Sequence, residues 1–143
     1  TPSEALGPAT YTYKIVVTDN DFLTSDDSET ISITVNELNQ APTTSNYNPN
    51  QFVKIGELLS FNINAIDEDL PEQTLSYSLS AQAPLGASIS TSGTFSFTPT
   101  ANQADTTFIF DVIVSDNYNP PMLKTDTITI IVGGEVVFSN GFE

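Results

Sequence analysis

Asp67-Glu68-Asp69 and Asp116-Asn117 are the side chains whose types and spacing best suit chemistry in this 143-residue chain. They are short clusters of oxygen donors, and a hard divalent cation draws its ligands from carboxylates, amides and carbonyls. Asn39 and Gln40 add amide oxygens upstream. The same residue types have a plainer use, because Asp and Asn start turns by accepting hydrogen bonds from nearby backbone amides. Other chemistry is thinly supplied. Without histidine or cysteine there is no Ser-His-Asp or Cys-His nucleophile and no imidazole or thiolate metal centre. Paired-carboxylate glycoside hydrolysis needs two acids roughly 5 to 10 Å apart across a cleft, and acids gathered in the loops of a small β-domain do not frame one. The chain reads as non-enzymatic. Tyr47, Tyr77 and Tyr118 are candidates for stacking on sugar rings; against this, Tyr77 lies on an alternating strand, Tyr118 sits in a loop, and tryptophan is absent.

Charge narrows the partners further. Eighteen acidic residues against three basic ones give a net charge of −15, so phosphate backbones and anionic membrane surfaces are repelled, and cations are the natural counter-partner. No apolar stretch approaches the roughly 18 residues that cross a bilayer, so neither nucleic acid nor membrane insertion is expected. A hydrophobic content of 38% suits one ordinary core with an appendage.

The elements that must position these acids are strands. Residues 1–35 are repeated without a gap by residues 98–132: Thr1-Pro2 matches Thr98-Pro99, Tyr11-x-Tyr13 matches Phe108-x-Phe110, Val17-Thr18-Asp19-Asn20 matches Val114-Ser115-Asp116-Asn117, and Thr30-Ile31-x-Ile33-x-Val35 matches Thr127-Ile128-x-Ile130-x-Val132. The offset is 97 residues throughout, as from Tyr11 to Phe108. That period suits one whole β-sandwich per repeat better than a solenoid unit of roughly 20 to 50 residues. β-branched and aromatic residues alternate with Thr, Ser and Asn, and no stretch keeps a helical period. Tyr11, Tyr13, Ile15 and Val17 share one strand face, as do Ile31, Ile33 and Val35 on the returning strand. Further strands are expected at Phe52-Val53, Leu59-x-Phe61-x-Ile63-x-Ala65, Leu75-x-Tyr77-x-Leu79, Ile89, Phe95-x-Phe97, Phe108 to Val114 and Thr127 to Val132, with turns at Gly56, Pro71, Gly86, Ser92-Gly93 and Pro120-Pro121. Tyr11, Tyr13, Phe95, Phe97, Phe108 and Phe110 are expected to face inward. The organisation predicted is a closing strand pair of a preceding repeat at 1–36, a linker at 37–42, a complete sandwich of about seven strands at 43–132, and a Gly-Gly joint with a short apolar tail at 133–143. The chain is expected to begin inside a repeat.

Ala65-Ile66-Asp67-Glu68-Asp69, Leu75-Ser76-Tyr77-Ser78-Leu79, Gly93-Thr94-Phe95-Ser96-Phe97-Thr98-Pro99, Val114-Ser115-Asp116 and Thr127-Ile128-Thr129-Ile130-x-Val132 together resemble the bacterial cadherin-like repeats, including their dystroglycan-type and immunoglobulin-like subgroups. The resemblance implies an immunoglobulin/cadherin-like Greek-key β-sandwich. It also implies an extracellular setting at a bacterial surface or in a secreted protein, and calcium held between domains. On the family's pattern the calcium positions are Asp67, Asp69, Asp116 and Asn39, with Glu4 a further contributor. The junction Leu38-Asn39-Gln40-Ala41-Pro42 resembles the family's Asn-Asp-Ala-Pro linker, but Gln40 stands where the acid would be, which removes one ligand charge.

The function expected is a structural and adhesive repeat stiffened by calcium, whose partners are neighbouring repeats or other copies of the same protein. One alternative is a subunit of a filament or oligomer built by strand complementation between chains; another is a carbohydrate-binding accessory module with polysaccharide as its partner. A two-stranded hairpin is marginal alone in water. Tyr11, Tyr13, Ile15, Val17, Ile31, Ile33 and Val35 are therefore expected to be covered by another chain or by the complete domain. Val136, Val137 and Phe138 of the tail are expected to bind a partner surface, either as an added strand or in a groove.

Overall fold

Period-two alternation gives each strand one apolar face to bury, and the computed structural model, which describes residues 6–20 and 27–133, shows where each face goes. Glu4 and the tail residues Val136, Val137 and Phe138 lie outside the described residues. The chain divides into two compact units: residues up to Asn39 together with Glu68–Glu72, and Gln40–Asp67 together with Gln73 onward.

The second unit is the expected all-β sandwich. Its strands are β3 (Thr43–Ser45), β4 (Asn50–Lys54), β5 (Leu59–Asn62), β6 (Asn64–Ile66), β7 (Ser76–Leu79), β8 (Ser88–Ile89), β9 (Thr94–Phe97), β10 (Thr107–Ser115) and β11 (Leu123–Gly133). One layer is the four-stranded sheet β4-β11-β10-β7, in which β4 runs parallel to β11 and the other pairs are antiparallel. The other layer holds β5-β9-β8, with β3 paired to β6. β5 and β6 are two halves of one extended run interrupted at Ile63, whose amide donates to the Gly93 carbonyl at 2.9 Å. Counted that way, with β3 and β4 as one split edge strand, the unit has seven strands among its described residues.

Inward positions from both layers interleave to form the core: Ile63, Phe95 and Phe97 from one sheet, and Val53, Phe110, Val112, Ile128, Ile130 and Val132 from the other. Phe95 and Phe110 meet across the layers with ring centroids 5.7 Å apart, and Phe61 extends the stack at 5.0 Å from Phe95. Phe108 packs edge-on against Phe97 at 6.0 Å. Two elements differ from the sequence reading. β3 is a run of hydroxyl residues with no apolar alternation to announce it, and β11 starts at Leu123 rather than Thr127 because Ser115 pairs with Leu123 across the loop.

The first unit contains β1 (Ala9–Val17) and β2 (Asp27–Val35), an antiparallel hairpin. Its register pairs Tyr11 with Ile33 and Tyr13 with Ile31; β10 and β11 pair Phe108 with Ile130 and Phe110 with Ile128. Every partner is the other's counterpart at the 97-residue offset, so the repeat holds in pairing as well as in sequence. Burial is where the copies part. Tyr13 is 54% and Ile33 51% exposed, whereas their counterparts Phe110 and Ile130 are 2% and 0% exposed. Ile15, Val17 and Ile31 are exposed too, and Tyr11 and Val35 are half-buried.

Gly93 shows how closely the second unit is packed. Its φ is +81°, and an added Cβ would lie 2.4 Å from the Ile63 carbonyl oxygen. Gly56 has a similar φ of +74° but open space around it. Gly93→Ala should destabilise by about 3 kcal/mol or more, since backbone strain and overpacking add, while Gly56→Ala should cost only about 1 kcal/mol from strain. Urea unfolding of the two variants measures the difference, and equal losses would show that φ alone matters.

Candidate functional site

Asp116 follows directly after β10, where the chain must turn back into β11. Its carboxylate is buried. Oδ1 accepts the Tyr118 amide at 3.1 Å, and both oxygens lie 3.0 Å from the Met122 amide. The Asp116 amide in turn donates to the Met122 carbonyl at 3.3 Å. The turn-forming use of Asp is thus realised here: one carboxylate ties both ends of the loop. Asn117 connects this loop to the one after β6, its Oδ1 accepting the Thr74 amide at 2.7 Å.

In the loop after β6, Asp69 is buried, Asp67 is half-buried with Oδ2 closed off from solvent, and Glu68 is exposed. Asn39 is half-buried and Gln40 exposed. Sequence reasoning passed over two more groups. Both carboxylate oxygens of Glu37 and the amide oxygen of Gln73 are closed off from solvent. Glu37 carried a signal, an acid two residues ahead of Asn39 in the linker; Gln73 carried none. Among the described residues no three Asp, Glu, His or Cys side chains are gathered as a metal cage. The donors are nonetheless all oxygen, which is the chemistry of a hard divalent cation.

A second polar cluster was also missed. Asp126, on β11, accepts from Thr44 Oγ1 at 2.5 Å and pairs with Lys124 Nζ at 2.9 Å. Tyr47 reaches the same carboxylate through its hydroxyl and stacks on Phe61 with centroids 6.4 Å apart. Burial first, and then the Asp126 carboxylate, push the Tyr47 phenol up to about 12. Burial also works to raise the Asp126 carboxyl, but hydrogen bonds from Thr44, Lys124 and Tyr47 outweigh it and hold the group below the usual carboxylate range. The cluster ties β3 and the segment after it to β11. It also commits Tyr47, one candidate for sugar stacking, to the core's edge, and Tyr77 is packed against the core as well. Tyr118 remains exposed.

A sandwich in which a split first strand serves both sheets, with its second half parallel to the last strand, narrows the families to be considered. Residues 41–133 match the family described as "Putative Ig domain". The chain belongs to that family. Solved structures similar to it include cadherin domains. A three-domain piece of Protocadherin Gamma C5 (EC1-3) is 21% identical with a TM-score of 0.62, over 90% of this chain and 44% of that one. Extracellular cadherin domains 3-6 of Protocadherin Gamma B2 are 19% identical with a TM-score of 0.64, over 92% and 35%. Mouse Cadherin-23 EC22-24 is 20% identical with a TM-score of 0.58, over 88% and 43%. The chain thus spans under half the length of each. No curated protein sequence matches it. At these identities the likeness establishes a cadherin-like fold, in agreement with the family.

Two consequences of this Ig-family domain's polar contacts are measurable. Asp116→Ala strands the Tyr118 and Met122 amides and should cost about 1–3 kcal/mol, read by urea unfolding, with a smaller loss for Asp116→Asn. Asp126 has a lowered folded pKa, so its contribution is complete above its unfolded pKa near ~4 and fades as pH falls through the folded value. The gap in Tm between wild type and Asp126→Asn should therefore be present at neutral pH and close in acid. Tyr47 has the opposite sign: its contribution holds below pH ~10 and is lost as pH rises through about 12.

Proposed function

We propose that this Ig-family domain is a non-catalytic structural and adhesive repeat of an extracellular bacterial protein, stiffened by calcium at Asp67, Asp69, Asp116 and Asn39. One observation carries the reading. Asp69 and Asp116 are buried acids, and the oxygens of Asp67 and Glu37 are closed off from solvent, in a chain that has only three basic residues. The donors of these loops are all oxygen, the chemistry that a hard divalent cation takes, and a net charge of −15 makes a cation the natural partner. With no ready cage of three acids among the described residues, amide and carbonyl oxygens and water would complete the cation's shell. An extracellular setting is supported by the solved neighbours, one of which is described as extracellular cadherin domains. No helix among the described residues is long and apolar enough to cross a membrane.

The exposed face of the β1–β2 hairpin favours a second reading. Five of its apolar residues keep large exposed surfaces where their counterparts are sealed in a core, which suits assembly with another copy by strand complementation. The carbohydrate-module reading is weaker, because Tyr47 and Tyr77 serve the core.

Calcium that binds only the folded state must raise its stability, by about 2.7 kcal/mol at a hundredfold excess over Kd. Thermal unfolding of the full chain should show a midpoint several degrees higher in calcium than in chelator, a shift that Asp67→Asn combined with Asp69→Asn removes. Equal midpoints would end the calcium reading. Sedimentation at high micromolar concentration separates the other two: a monomer supports the spacer, and an oligomer dispersed by Ile33→Thr supports assembly.

A further inference from the structure

We infer that Asp126 is the lock of a tension-bearing domain: a pull entering before β3 and leaving after β11 is carried by its bonds to Thr44 and Tyr47, with the parallel β4–β11 ladder behind them. The inference rests on the reading of this chain as a structural repeat, whose neighbours attach at those two points, and is independent of calcium.

The path of the force follows from the topology. The chain enters the sandwich through β3 and β4, and β11 is its last described strand. β4 runs parallel to β11, from Asn50 beside Thr129 to Lys54 beside Gly133. Pulling the start of β4 against the end of β11 slides one strand along the other, so their five register pairs are strained together rather than in turn. The Thr129 amide adds a bond to the Pro49 carbonyl at 2.8 Å. The β1–β2 hairpin is the contrast. It is antiparallel with Ala9 beside Val35, and a load on those two ends opens one pair at a time.

Asp126 stands ahead of the ladder on this path. It lies on β11 before Thr129 and accepts from Thr44 Oγ1 at 2.5 Å and from the Tyr47 hydroxyl, both upstream of Asn50 in the chain. A load arriving from the linker meets these two side chains before it reaches β4. β3 has three register pairs with β6, a short stretch of backbone pairing. The bonds to Asp126 reinforce it, because a hydrogen bond to a charged acceptor is roughly twice as strong as a neutral one. Thr44, Tyr47 and Asp126 are all half-buried, where water competes less for such bonds. Lys124 Nζ, 2.9 Å from Asp126, steadies the carboxylate on its own strand. Tyr47 stacks on Phe61 of β5, which passes load into the second sheet.

Single-molecule force spectroscopy in chelator tests this on the full chain, which has no cysteine of its own to compete for the handles. Handles at Ala41→Cys and Glu143→Cys load the sandwich along β4 and β11; Ala41 is exposed and directly precedes Pro42 and β3. Handles at Leu85→Cys and Glu143→Cys load it from one end, and peel β11 from Gly133 inward. Leu85 is 90% exposed; its carbonyl accepts from Gln103 Nε2 at 3.1 Å, and the nearby Thr106 carbonyl accepts the Val132 amide at 2.9 Å. Expected is a severalfold higher unfolding force in the first geometry, in one step that releases roughly 300 Å of chain at ~3.4 Å per residue. Asp126→Asn and Tyr47→Phe should each speed unfolding at constant force about tenfold in that geometry, the size of one lost hydrogen bond to a charged group, and leave the peeling geometry unchanged. Equal forces in the two geometries would overturn the proposal. So would variants that speed unfolding equally in both, the mark of a merely structural tie, or that change neither. The calcium reading is decided separately by the thermal midpoints, so either can fail without the other.

Discussion

The register between β10 and β11 is the constraint on which the rest of the second unit depends. Because side chains alternate, a slip of one residue would bring Ile109, Asp111 and Ile113 into the core in place of Phe110, Val112 and Val114, and would send the latter to solvent. Six inward residues on this pair, Phe110, Val112, Val114, Ile128, Ile130 and Val132, are buried, and each is stabilised by about 1.5–3 kcal/mol on leaving water. A slipped register would forfeit most of that and bury a carboxylate. Pinned in this way, the pair supports β7 on one side and β4 on the other and places Phe110 where Phe95 meets it. The acidic loop after β10 inherits its position from the same pairing, since Ser115 opposite Leu123 leaves Asp116 at the mouth of a short connection.

That connection shows how an acid serves a small domain with few cations of its own. Asp116 spends its charge on two backbone amides, and Asp126 spends its own on Thr44, Tyr47 and Lys124. Asp116 closes its own loop, whereas Asp126 ties together segments far apart in sequence. In a chain of net charge −15, mutual repulsion among the remaining carboxylates favours any divalent cation that binds the folded state.

The two copies of the closing strand pair offer an internal comparison. Pairing is the same in both, so hairpin geometry follows from the local sequence and turn. Burial differs sharply between Tyr13 and Phe110 and between Ile33 and Ile130, although the residue types are nearly alike. Inward-facing character is written in the alternation, whereas being buried requires an opposing sheet, and β5-β9-β8 supplies one to the second copy.

Much of the fold was legible in the residues. The alternation of Leu59, Phe61 and Ile63, of Phe95 and Phe97, and of Phe108 to Val114 placed the strands and the core, and Gly56, Gly86 and Gly93 marked turns that carry positive φ. β3 was not legible, because Thr43–Ser45 is held by pairing with β6 rather than by any pattern of its own. The acids were legible as oxygen donors in loops; the burial of Asp69 and the tie from Asp126 to Thr44 and Tyr47 were not, since both depend on neighbours distant along the chain. The sequence by itself determined the strand period, the 97-residue repeat and hence the family of folds, because these are properties of local alternation and spacing. Only the tertiary structure decided which acids are buried, which hydroxyls meet Asp126, and that β4 runs parallel to β11, because each requires strands remote in sequence to lie side by side.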